Sequence, residues 1–109
     1  MTYGLSEETV GKMTCVFTQF PEIEQVIIYG SRAKGTHREG SDIDITLIGN
    51  EVTEAIRSKV WLALDDLNMP YMIDLSVFNS LTSQSLIDHI TRVGKSLYQR
   101  TGAKEIKEM

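Results

Sequence analysis

The stretch YGSRAKGTHREGSDIDITLIG, residues 29–49, carries a Gly30-Ser31 turn followed, ten residues on, by the pair Asp42-x-Asp44. Asp42 and Asp44 are two apart in a segment that reads as a strand, so both side chains point to one face. Glycine lets a backbone approach a phosphate closely, and the Ser31 hydroxyl with the first amides of a following helix can hold phosphate oxygens. Paired carboxylates opposite such a turn suit Mg²⁺, which takes one or two carboxylates plus substrate phosphates. The spacing implies phosphoryl or nucleotidyl chemistry.

Outward from this stretch, the chain alternates helices and strands. Ser6 caps a first helix whose Val10, Met13, Phe17 and Phe20 recur at helical spacing, and Pro21 begins its exit. Gln25 to Tyr29 (QVIIY) reads as a buried first strand. GSRAKG is a turn into a short helix, and THREGS a polar loop. The second strand, Asp42 to Ile48, places Ile43, Ile45 and Leu47 on a packing face and Asp42, Asp44 and Thr46 toward a cleft.

A helix from about Thr53 to Asn68 follows, with Ile56, Val60, Ala63, Leu64 and Leu67 as its stripe, and Pro70 bars its continuation. Tyr71 to Phe78 is the third strand, in which Asp74 shares a face with Met72 and Ser76. A last helix from about Ser83 to Val93 presents Leu86, Ile90 and Val93, and Lys95 to Gln99 reads as an edge strand or a helical turn. The expected architecture is α+β, a small mixed β-sheet with helices packed on one face. Residues 1–109 read as one domain, with Thr101 to Met109 a loose charged tail.

If the second and third strands pair, Asp42, Asp44 and Asp74 stand on adjacent strands roughly 4.8 Å apart and can share two metal ions. Three bare carboxylates so close repel one another, a cost that divalent cations remove. Arg32, Lys34 and Arg38 lie between the turn and the Asp pair, where they can neutralise charge on a leaving pyrophosphate. Asp-x-Asp alone is more simply the wet face of an edge strand. The Gly-Ser turn and the third carboxylate change that balance.

Composition narrows the classes further. A hydrophobic fraction of 41% and a charged fraction of 24% are ordinary for a globular domain. No apolar run reaches the roughly 20 residues of a membrane span, and MTYGLSEETV lacks the pattern of a signal peptide, so a cytoplasmic location is expected. Cys15 is the only cysteine and reads as a small buried or half-buried filler. The net charge of -4 argues against a nucleic-acid acceptor. His37 reads as a solvated loop residue, His89 as surface or partner-facing, Trp61 as a core edge or partner anchor, and Tyr29 as packing or a brace for a nucleotide.

The run from Tyr29 to Gly49, with Asp74 in MIDLSVF, resembles the polymerase-β-type nucleotidyltransferases, in particular their minimal branch known as MNT proteins. The resemblance covers about Val26 to Phe78. It implies that Gly30 and Ser31 bind nucleotide phosphates; Arg32 and Lys34, by their charge and place after the turn, are read with them as phosphate-binding residues. It also implies that Asp42 and Asp44 bind two Mg²⁺ ions, and that Asp74 completes one metal site and helps activate an acceptor hydroxyl. The implied activity is transfer of AMP from ATP. Larger members hold the acceptor on added helical domains, and minimal members are often paired with a small helical HEPN-type or substrate-binding protein. A hetero-oligomer with such a partner is therefore expected, this chain being its catalytic or antitoxin half. The alternative is a non-catalytic antitoxin that neutralises its partner by stoichiometric contact.

Overall fold

The computed structural model describes residues 3–38 and 40–100. In chain order the elements are α1 (Glu7–Thr18), β1 (Gln25–Tyr29), α2 (Gly30–Lys34), β2 (Ile43–Ile48), α3 (Glu54–Asp65), β3 (Ile73–Val77), a 3-10 turn (Phe78–Ser80), α4 (Gln84–Val93) and β4 (Lys95–Gln99). Three helices start where a hydroxyl satisfies an amide that lacks a helical partner. Ser6, Thr53 and Ser83 accept from Thr9, Ile56 and Leu86 at 3.1, 3.2 and 3.3 Å.

The sheet order is β3-β2-β1-β4. β1 runs antiparallel to both β2 and β4, while β2 and β3 are parallel, joined by the crossover through α3. The fold is thus α+β with a mixed sheet. Val26 and Ile28 of β1, Ile43, Ile45 and Leu47 of β2, and Leu75 and Val77 of β3 form one buried face. Met13, Val16 and Phe17 of α1 with Val60 and Leu64 of α3 join them in a single core cluster. Alternation on the strands and a 3.6-residue stripe on the helices produce this layer together.

Element ends differ from the sequence expectation by a few residues. β2 opens at Ile43, which donates to the Met72 carbonyl at 2.9 Å, so Asp42 stands just ahead of the strand. α3 ends at Asp65, and Asn68 turns the chain at φ 55° before Pro70 is reached. β3 is trimmed to Ile73–Val77 because Phe78 begins the 3-10 turn. Lys95–Gln99 is a strand, not a helical turn. Cys15 is exposed, contrary to its reading as a filler, because the buried stripe of α1 passes through Met13, Val16 and Phe17. The expected tail from Thr101 to Met109 lies outside the described residues.

Candidate active site

The register of the sheet brings three residues into one row on the face opposite the core. Tyr29 of β1 pairs with Asp44 of β2, and Asp44 pairs with Asp74 of β3. The next row is Ile27, Thr46 and Ser76. Parallel in-register neighbours sit about 4.8 Å apart, so Asp44 and Asp74 are as close as two strands permit. Asp42, two residues before Asp44, is exposed beside them, as is Asp74.

This closeness has an electrostatic signature. The Asp44 carboxyl is held above the usual carboxylate range, first by burial, then by the charges of Asp74 and Asp42, with His89 and Arg32 pulling partly the other way. The Tyr29 phenol is likewise raised by burial and by Asp74 and Asp44, an effect that Ser76 partly offsets. Repulsion among carboxylates is what a divalent cation relieves. The donor set fits a hard, oxygen-seeking ion. Among the described residues, no three His, Cys, Asp or Glu side chains already converge into a preformed metal cage.

The Gly-Ser turn lies against this row. Gly30 follows β1 directly, has φ +74°, and faces Asp44 so closely that a Cβ there would collide with its carboxylate Oδ2. Only glycine fits both the backbone angle and the space. Ser31 is half-buried in the first turn of α2, and Lys34 and Arg38 are exposed.

Arg32 is placed otherwise than the sequence suggested. Its side chain is only 2% exposed. Its Nε donates to the carbonyls of Ser41 and Asp42, both at 3.2 Å, Nη2 donates to Ser41 at 2.7 Å, and Nη1 donates to the Tyr3 carbonyl at 2.9 Å. The guanidinium also lies over the Tyr71 ring, 4.9 Å from its centroid. With every nitrogen engaged on carbonyl oxygens, Arg32 is turned into the protein, and the exposed cations nearby are Lys34 and Arg38. Removing it would strand those carbonyls, at about 1–3 kcal/mol for each left unsatisfied.

Both histidines also differ from their sequence readings. His37 is not freely solvated: its Nδ1 is buried without a partner, and its ring lies where a Cβ on Gly4 would have to go. His89, on α4, is half-buried, and its ring meets Tyr29 edge-on at 6.2 Å. The sequence held a signal for this, since Leu86, His89, Ile90 and Val93 fall at i, i+3, i+4 and i+7 on one helical face. Thr46 is wholly buried and donates to the Ser76 carbonyl at 3.4 Å, tying β2 to β3 just past the carboxylates.

Comparison with known proteins speaks to the family and the fold. The family model described as polymerase beta, nucleotidyltransferase matches residues 12–102. No curated protein matches the chain. Among solved structures, a toxin-antitoxin with AMP-PNP superposes with a TM-score of 0.66 at 24% identity, covering 88% of this chain and 75% of that one. A tri-AMPylated Shewanella oneidensis HEPN toxin in complex with MNT antitoxin gives 0.64 at 18% identity, covering 89% and 75%. A candidate nucleotidyltransferase from Sulfolobus solfataricus gives 0.51 at 18% identity, covering 94% and 97%. These likenesses speak for the fold. The family match spans most of the length, including the Gly-Ser turn and all three aspartates, and the chain belongs to the polymerase-β-type nucleotidyltransferase family.

Proposed function

We propose that this chain is a Mg²⁺-dependent adenylyltransferase that moves AMP from ATP onto a hydroxyl of a helical HEPN-type partner protein, as one half of a two-protein module. The observation that carries this reading is the row of Tyr29, Asp44 and Asp74 across three strands, with Asp42 alongside and Gly30 pressed against Asp44. Asp42, Asp44 and Asp74 would hold the metal ions. Those ions supply charge neutralisation of the triphosphate and of the reacting oxygens. Gly30 and Ser31 receive the phosphates, and Lys34 meets the charge of the departing pyrophosphate.

In the transfer, the acceptor oxygen forms a bond to the α-phosphorus while the α–β bridging bond breaks, releasing pyrophosphate. The acceptor proton passes to the Asp74 carboxylate and on to solvent. The His89 ring meets Tyr29 edge-on at the β1 end of this row. Support for the partner comes from the similar toxin-antitoxin complexes, one of which contains a tri-AMPylated HEPN toxin. Trp61, Leu62 and Met72 are 39, 62 and 74% exposed, apolar surface of the kind a helical partner covers.

The test incubates the chain, labelled ATP, Mg²⁺ and the product of the adjacent gene, and follows label transfer to that protein. Transfer by wild type, and none by Asp42→Asn with Asp44→Asn although the complex still forms, supports catalysis. Full neutralisation of the partner by that double variant would instead favour stoichiometric contact.

A further inference from the structure

One guanidinium joins four parts of the chain that are far apart in sequence. Arg32 belongs to α2, and its carbonyl partners are the N-terminal turn at Tyr3 and the end of the polar loop at Ser41 and Asp42. Tyr71, whose ring it covers, leads into β3 and thus toward Asp74. Asp42 itself lies outside the strand ladder, so its main chain is fixed on one side by Ile43 bonding Met72 and on the other by Arg32. The loop before it is a tight turn in which Ser41 N–H donates to the Arg38 carbonyl at 3.0 Å and the Ser41 hydroxyl accepts from Arg38 N–H at 2.8 Å.

The geometry points to Arg32 as a positioning residue that sets the Asp42 carboxylate against Asp44 and Asp74 by gripping the Asp42 and Ser41 carbonyls, without itself touching nucleotide. It rests on the functional reading above. A planar fork suits this task because three carbonyl oxygens converge from two directions. A lysine ammonium keeps the charge but cannot span them. The grip extends to the N-terminal turn, where Tyr3 and Gly4 have φ of 55° and 75° and where any Cβ on Gly4 would strike His37. A Cβ on Gly4 would also stand 3.0 Å from Arg32 Nη1, so Gly4 belongs to the same device although it lies far along the chain from the carboxylates.

Mn²⁺ titration followed by electron paramagnetic resonance, with ATP present, tests this on the full chain without any acceptor. Arg32→Lys is expected to weaken Mn²⁺ binding about tenfold and Gly4→Ala several-fold, each in protein whose circular dichroism remains folded. In an Asp42→Asn background, Arg32→Lys should weaken Mn²⁺ binding no further, because the positioned ligand is already gone. Additive losses would show that Arg32 acts on the fold generally and would overturn the inference. Unchanged Mn²⁺ affinity in Arg32→Lys would overturn it too. If wild type itself takes up no Mn²⁺ with ATP, the functional reading fails and this inference falls with it; a normal wild type separates the two failures. Should Arg32→Lys not fold, Gly4→Ala and its combination with Asp42→Asn decide the matter by the same comparison.

Discussion

Ile43, Ile45 and Leu47 on one face of β2 are fully buried among apolar side chains, whereas Asp44, one step along the same strand, is half-buried among like charges. The first face needs nothing from outside the chain. On the second, Asp42 and Asp74 crowd Asp44, and Tyr29 is pushed toward its neutral form. Because side chains alternate with a period of two, one strand can stabilise the fold with half of its residues and hold a strained polar array with the other half. The difference teaches that β2 is anchored by its apolar face so that Asp44 can be kept in unfavourable company.

Substitutions on the two faces should therefore separate activity from stability. Asp44→Asn is expected to lower label transfer to the partner by about 10³-fold or more, read in the ATP-labelling assay, since it removes a negative ligand from the centre of the row. Ile45→Ala, on the other face, should cost about 2–5 kcal/mol in urea unfolding. Labelling per folded molecule should hardly change. Gly30→Ala sits between the two faces in effect: strain at its positive φ costs about 1–2 kcal/mol, and contact with Asp44 should weaken Mg²⁺-dependent ATP binding as well.

The smallest effect is the one most diagnostic of the contrast. In the absence of metal, Asp44→Asn should stabilise the protein at neutral pH by roughly 0.2–1 kcal/mol, the scale of a like-charge pair facing across strands. Since the folded-state pKa of Asp44 is raised, the stability linked to its protonated form is complete below the ordinary carboxylate value and is lost as pH rises through the raised one. The advantage of the variant over wild type should thus be flat in acid and grow across that window, as read from paired thermal melts. Mg²⁺ with ATP should shrink it. A destabilised Asp44→Asn at neutral pH would mean that the carboxylate is a structural partner, and the contrast between the faces would disappear.

Much of this could be read along the chain because it depends on local periodicity. The bounds of β1 at Gln25–Tyr29 follow from a short β-branched apolar run, while the faces of β2 and the parity that sets Asp74 beside Asp44 follow from alternation. What could not be read depends on convergence. Arg32 looks like a phosphate partner because it is a cation two residues past Gly30, but its carbonyl partners lie 9, 10 and 29 positions away. No local pattern announces three oxygens meeting at one guanidinium. His89 shows the same limit in part: its spacing with Leu86, Ile90 and Val93 puts it on the packed face of α4, but only the packing of α4 beside β1 names Tyr29 as its neighbour.

β3 lies at the rim of the sheet, with a strand neighbour on one side only. Asp74 therefore stands at an open doorway, whereas Asp44 stands well inside the room. For the acceptor protein proposed above, a side chain would reach Asp74 sideways from this open edge.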